Sequence, residues 1–173
     1  LRHDGPGGFT ANKVTEKAGV NIASFYQYFP NKEALLFYIA KLTWENQLAT
    51  LSPILSKNDA APASKLRDFI REFFLVEAAE ADLRQALRVA SIDLKDTKEF
   101  QELMSKGVEL TKGFIEDEIA DKDVENLDFK VKFIVLLVTS FAERTTDERT
   151  SDTDLIRQAD LLSDILINYF KIS

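Results

Sequence analysis

Thr10-Ala11-Asn12-Lys13-Val14-Thr15-Glu16-Lys17-Ala18-Gly19-Val20-Asn21, continued by Ile22-Ala23-Ser24-Phe25-Tyr26-Gln27-Tyr28-Phe29-Pro30-Asn31-Lys32, reads as two short helices around a glycine turn, with a third helix beginning at once. Thr10 is a good N-cap, because its hydroxyl can take one of the unpaired amides of a first turn. Gly19 ends that helix, since glycine enters the left-handed region without a Cβ clash. Asn21 caps a second helix, Ile22 to Tyr28; Pro30 stops it, and Asn31 caps a long helix from Lys32. Val14, Ala18 and Val20 are expected to pack the two short helices together. Phe25, Tyr26 and Phe29 are expected to key the second into the long one, with Asn21, Ile22, Ser24, Gln27 and Tyr28 left outside.

The chain has 173 residues, 45% of them hydrophobic and 29% charged, which suits a buried core rather than global disorder. It has no cysteine and one histidine, His3, so thiolate metal sites, disulfide scaffolds, cysteine catalysis and a Ser-His-Asp triad are excluded or nearly so. No run of 18 apolar residues and no signal peptide are found, so a soluble, cytoplasmic protein with no membrane contact is expected. Six glycines and four prolines leave little punctuation, and the apolar periodicity is helical: an all-α fold. Residues 1–45 hold five basic and four acidic side chains, whereas the remainder carries 17 against 25. A near-neutral head on an acidic body suits a protein that touches nucleic acid only with its head.

Beyond Lys32 the expected elements are rods. Leu35, Ile39 and Leu42 form one stripe, and Pro53 is expected to end or kink that helix. Residues 57–62 read as a loop. Leu66, Phe69, Ile70 and Phe73 share a face of the next helix. Asp82 is placed as the cap of a shorter helix, and Asp96-Thr97-Lys98-Glu99 as an acidic capping box. Residues 121–128 form a polar break. Phe133 to Val138 is continuously apolar and is assigned to helix because no second strand candidate exists to pair with it. A Thr/Ser/Asp loop at 145–153 precedes the last helix. The two C-terminal helices carry more apolar surface than one face needs, which points to a partner chain.

Two helices joined by Ala18-Gly19-Val20-Asn21 have the length and turn of a helix-turn-helix, whose second helix enters the major groove. At Gly8 to Val20 and Phe25 to Leu36, above all Ala18-Gly19-Val20 and Tyr26-Gln27-Tyr28-Phe29-Pro30-Asn31-Lys32-Glu33, the chain resembles the TetR family of bacterial transcriptional regulators. The resemblance implies a helix-turn-helix head over residues 1–45 and an effector-binding, dimerising helical body over 46–173. It implies phosphate contacts from Thr10, Tyr28 and Lys32, with Asn12 and Lys13 beside them on the same interface, and base reading by Asn21, Ile22, Ser24 and Gln27. Gln can bond adenine bidentately and Ile22 can touch a thymine methyl. Asn21 stands where the family usually has Ser or Thr, and Ala23 where it has Gly. The family has a whole helix before the Gly5-Pro6-Gly7-Gly8 turn; only Leu1-Arg2-His3 stands there as its tail, so the head is expected to be N-terminally incomplete.

The same resemblance places an effector pocket around the short central helix. Phe69, Phe73, Arg84, Leu87, Arg88, Ser91, Phe100, Met104 and Phe133 are its expected lining, for a small apolar or aromatic effector, anionic if Arg88 points inward. The homodimer is expected through Phe133, Val135, Val138, Leu162, Ile165 and Tyr169. No cofactor, metal or catalytic residue is assigned, because the acidic run Glu116-Asp117-Glu118 with Asp121 and Asp123 lacks any histidine and reads as a solvated helix end. The expected function is a ligand-released repressor that binds operator DNA as a homodimer. The alternative is a binding or adaptor protein of the same fold that no longer reads an operator. An all-helical enzyme would have to draw its catalytic pair from carboxylates alone.

Overall fold

The computed structural model describes residues 8–56, 59–89, 96–118, 126–148 and 150–172. Among them are eight α-helices and no strand: α1 (Ala11–Ala18), α2 (Ile22–Tyr28), α3 (Lys32–Leu55), α4 (Pro62–Ala79), α5 (Ala81–Val89), α6 (Lys98–Glu118), α7 (Leu127–Asp147) and α8 (Asp152–Phe170). The Gly5-Pro6-Gly7 turn and the expected preceding helix, together with Ser91, Asp121 and Asp123, lie outside the described residues.

The head forms as its caps dictate. The Lys13 amide donates to Thr10 Oγ1 (3.3 Å), the Ala23 amide to Asn21 Oδ1 (2.8 Å) and the Ala34 amide to Asn31 Oδ1 (2.8 Å). Gly19 adopts φ 66°, the left-handed conformation that lets its own amide turn back to the Glu16 carbonyl. Phe25 is buried, and Phe29 bridges it to Tyr38 of α3, with ring centroids 5.7 Å away on each side. Tyr26 does not key into α3 as expected: it meets only the edge of Phe25 and is 55% exposed. Its position, one residue past Phe25 on a two-turn helix, turns it about 100° off the buried face. Ala18 and Val20 are likewise exposed, whereas Val14 is half-buried and Thr15 buried.

Pro53 neither ends nor breaks α3, which runs to Leu55. Its missing amide deprives only the carbonyl one turn back, at exposed Ala49, which water can serve, while buried Leu51 and Leu55 hold the last turn. Asp82 lies inside the first turn of α5; the link between α4 and α5 is the single residue Glu80, whose carbonyl accepts from Arg84 N, so no side-chain cap is needed. At α6 the cap is Thr97, not Asp96: its Oγ1 accepts from the Phe100 amide. α7 extends through Thr145 and Thr146, which were expected in a loop, because Thr146 bonds back to the Ala142 carbonyl and also receives Arg84.

One core is built around α4. Ile70 and Phe74 are fully buried against Phe114 and Ile115 of α6, Ile134, Val138 and Ala142 of α7, and Leu155, Ala159, Leu162 and Leu166 of α8. Each such side chain stabilises the fold by about 1.5–3 kcal/mol relative to exposure. A second core joins Leu36 and Ala40 of α3 to Leu83 and Ala86 of α5, with Phe9 and Trp44 packed against it. The central helices therefore touch the head directly.

Candidate ligand cavity and nucleic-acid interface

In the head, Thr10, Asn12, Lys13, Asn21, Ile22, Gln27, Tyr28 and Lys32 are all exposed; Ser24 is half-buried between them and the core. Thr10 Oγ1 is occupied as an acceptor from Lys13 N, which leaves its hydroxyl hydrogen to donate outward. Asn21 uses Oδ1 in capping and keeps its amide NH₂ as the group available to a base or phosphate. Tyr28 is an apolar ring with a phenol and no packing role, at 79% exposure.

In the body, α3 to α7 enclose a cavity of about 480 Å³. Phe69, Phe73, Arg84, Leu87, Arg88, Phe100 and Met104 line it, as expected from the sequence. Phe133 does not: it is 48% exposed and stacks on Phe129 of the same helix, on a side of α7 that does not reach the cavity. Trp44, Gln47, Leu48 and Leu51 of α3 complete the wall, together with Glu80 between α4 and α5 and Thr139 of α7. These escaped the sequence reading because α3 was read for its head-facing stripe, and Glu80 sits in an alanine-rich stretch with no apolar period to orient it.

The polar end is an ion-pair network. Arg84 Nη1 donates to Glu77 Oε2 and to the Glu77 carbonyl, both at 2.8 Å, and Nη2 to Thr146 Oγ1 at 2.6 Å. Gln47 Nε2 donates to Glu77 Oε1 (3.0 Å). Arg88 is held by Asp147 (2.6 Å) and Glu143 (2.7 Å), so it is not free to receive an anion as the sequence reading allowed. Burial raises the Glu77 carboxyl above the usual range, with Arg84 and the Gln47 hydrogen bond opposing. Glu80 is pushed up to about 7 by burial and by the charge of Glu77, against Arg84. No group of His, Cys, Asp and Glu side chains suited to a metal ion exists among the described residues. No described helix is long and apolar enough to cross a membrane.

Residues 1–39 match the family described as "Bacterial regulatory proteins, tetR family". The match covers the head of the chain. Its fold is similar to that of the transcriptional regulator FadR from Bacillus subtilis, crystallised in complex with stearoyl-CoA, with a TM-score of 0.64 at 16% identity over 95% of this chain and 90% of that one. Compared by sequence, no curated protein matches. The head of this chain is thus similar to the family's DNA-binding segment, and the whole chain shares the fold of a helical regulator.

The residues expected at a dimer interface divide. Phe133, Ile165 and Tyr169 are exposed, Tyr169 to 74%. Val138 and Leu162 are not on any surface; both belong to the main core, Leu162 at 5% exposure. Val135 lines the ligand cavity. The correction follows from helical register: Phe129 and Phe133 on α7, and Leu161, Ile165 and Tyr169 on α8, are left uncovered, and Leu136, also exposed, lies at the cavity mouth.

Proposed function

We propose that this chain is a TetR-family, ligand-responsive repressor that binds operator DNA as a cytoplasmic homodimer and is released by a small apolar effector. Residues 1–45 would supply the DNA-binding head and 46–173 the effector-binding and dimerising body. The observation that carries the reading is the continuity of cavity, α5 and head. Leu83 and Leu87 line the cavity and also pack, with Ala86, on Leu36 and Ala40 of α3. Filling the cavity moves α5 outward, and α3 carries that displacement to the helix-turn-helix with no flexible linker between. The lining is mostly apolar, and the FadR neighbour was crystallised with a long acyl chain, which favours an effector with an apolar tail.

In the head, Thr10, Asn12, Lys13, Tyr28 and Lys32 are proposed as backbone contacts and Asn21, Ile22, Ser24 and Gln27 as base readers. Two heads on a dimer read one DNA face only at a fixed spacing of about 34–36 Å or a related groove interval, so a small swing of α3 is enough to lose the operator. The effector must bind the off-DNA state better, and by linkage operator DNA must weaken effector binding by the same factor. Selection on random DNA yields the operator, and effector affinity is then measured with and without it. A drop with operator present is expected; equal affinities refute the release mechanism. A body that binds its effector while the head selects no sequence is the adaptor reading.

A further inference from the structure

Five charged residues line the cavity, and their pairing is uneven. Arg84 and Arg88 are both spent on Glu77, Glu143 and Asp147. Arg84 Nε lacks an acceptor and is itself buried. The Glu80 carboxylate is the converse case. It is 9% exposed, it lines the cavity, and it has no hydrogen bond or ion pair among the described residues. A carboxylate largely screened from water and without a partner is poorly solvated, and a ligand that brings a partner recovers part of that cost as affinity.

We infer that the cavity takes an apolar ligand whose head is a protonated amine, held by the Glu80 carboxylate, and that it rejects the anionic counterpart. The groups facing Glu80 support the sign. Glu77 stands beside it on α4, Arg84 on α5 is committed to Glu77, and α7 contributes Glu143 and Asp147, which hold Arg88. The α6 wall contributes Phe100, Leu103, Met104, Leu110 and Thr111, with no titratable side chain to answer Glu80. An incoming carboxylate would meet no free cation and would lie against Glu80. An incoming ammonium completes a pair, and it draws toward ionisation a carboxyl that burial has pushed up to about 7.

The inference rests on the ligand cavity proposed above, and the test separates the two. Trp44, the chain's one tryptophan, lines the cavity, so its fluorescence reports occupancy. Dodecylamine, dodecanol and dodecanoate are titrated into the protein at about pH 8 and about pH 5.5, on either side of the Glu80 titration. At the higher pH the amine is expected to bind at least about ten-fold more tightly than the acid, a ratio that one close charge pair in a partly buried site supplies. The preference shrinks at the lower pH and collapses in Glu80→Gln, which keeps dodecanol binding. Glu109→Gln, which removes an exposed charge outside the cavity, keeps the preference. Binding of the acid as tightly as the amine, or an undiminished preference in Glu80→Gln, overturns the amine assignment while leaving the cavity reading intact. If Glu80→Gln also loses dodecanol, the wild-type pH comparison decides, and a pH-independent preference overturns the assignment. No response to any of the three overturns the cavity reading and the assignment with it.

Discussion

Burial holds the Glu80 carboxyl at about 7, against an ordinary value of 4.5, so the folded state binds a proton that the unfolded chain has released between those pH values. Stability from this group is therefore full below about pH 4.5 and is lost as pH rises through about 7, on the order of 3 kcal/mol in all. Glu80→Gln is expected to leave the melting temperature unchanged near pH 4 and to raise it near pH 8, as thermal melts across that range will show. In the head, Gln27 and Lys32 are both exposed but differ in what they offer. Gln27→Ala should cost about 1–3 kcal/mol on the selected site and relax one base position, whereas Lys32→Ala should weaken all sequences alike and flatten the salt slope by about one unit. Binding measured on cognate and scrambled duplexes over a range of salt separates these. Uniform weakening by Gln27→Ala would remove it from the base readers.

The helix that organises the body is α4. It buries Ile70 and Phe74 completely. It is also pinned at its flanks: Lys65 Nζ donates to Glu118 Oε1 of α6 at 2.6 Å, and Arg71 makes a two-pronged contact with Asp160 of α8, through Nε at 2.5 Å and Nη2 at 2.9 Å. The Arg71 hydrogen bond holds the Asp160 carboxyl below its usual range. Phe74 also meets the edge of Phe141 across the α4–α7 contact, with centroids 5.9 Å apart. Phe74→Ala should cost about 3–5 kcal/mol in chemical denaturation, since neighbours on three helices cannot all collapse into the space left. A cost under about 1 kcal/mol would mean that the α4 core is not packed as described.

Apolar residues on α7 and α8 that this chain leaves open recur at helical spacing, and a solvent-facing row of aromatic and aliphatic side chains is costly unless a second surface covers it. The proposed homodimer would cover it, with more than about 1,000 Å² buried in total. Phe133→Asp combined with Ile165→Asp is expected to give a monomer by analytical ultracentrifugation with an unchanged helical circular dichroism spectrum, because neither side chain belongs to the core of its own chain. DNA binding by that variant should fall sharply, as two heads no longer share one frame. A dimer that survives both substitutions would move the interface elsewhere.

Local chemistry in the chain was enough for the head. Thr10, Asn21 and Asn31 as caps, Gly19 as the left-handed stop and Pro30 as the break each act within a few residues, so the helix-turn-helix and its resemblance to TetR-type heads were legible from Gly8 to Leu36. The all-helical body was legible from periodicity, and so were seven of the nine lining residues expected of the cavity; of the other two, Phe133 faces away and Ser91 lies outside the described residues. Which face of α7 looks inward was not legible. A helix apolar on all sides gives no local sign of whether Phe133 or Val138 meets the core, and the answer comes from the placement of α4 and α8. Glu80 was missed for the same reason. Its sequence neighbours are small and polar, and only the approach of α3, α4, α5 and α7 from distant parts of the chain removes it from water and leaves it unpaired at a cavity wall.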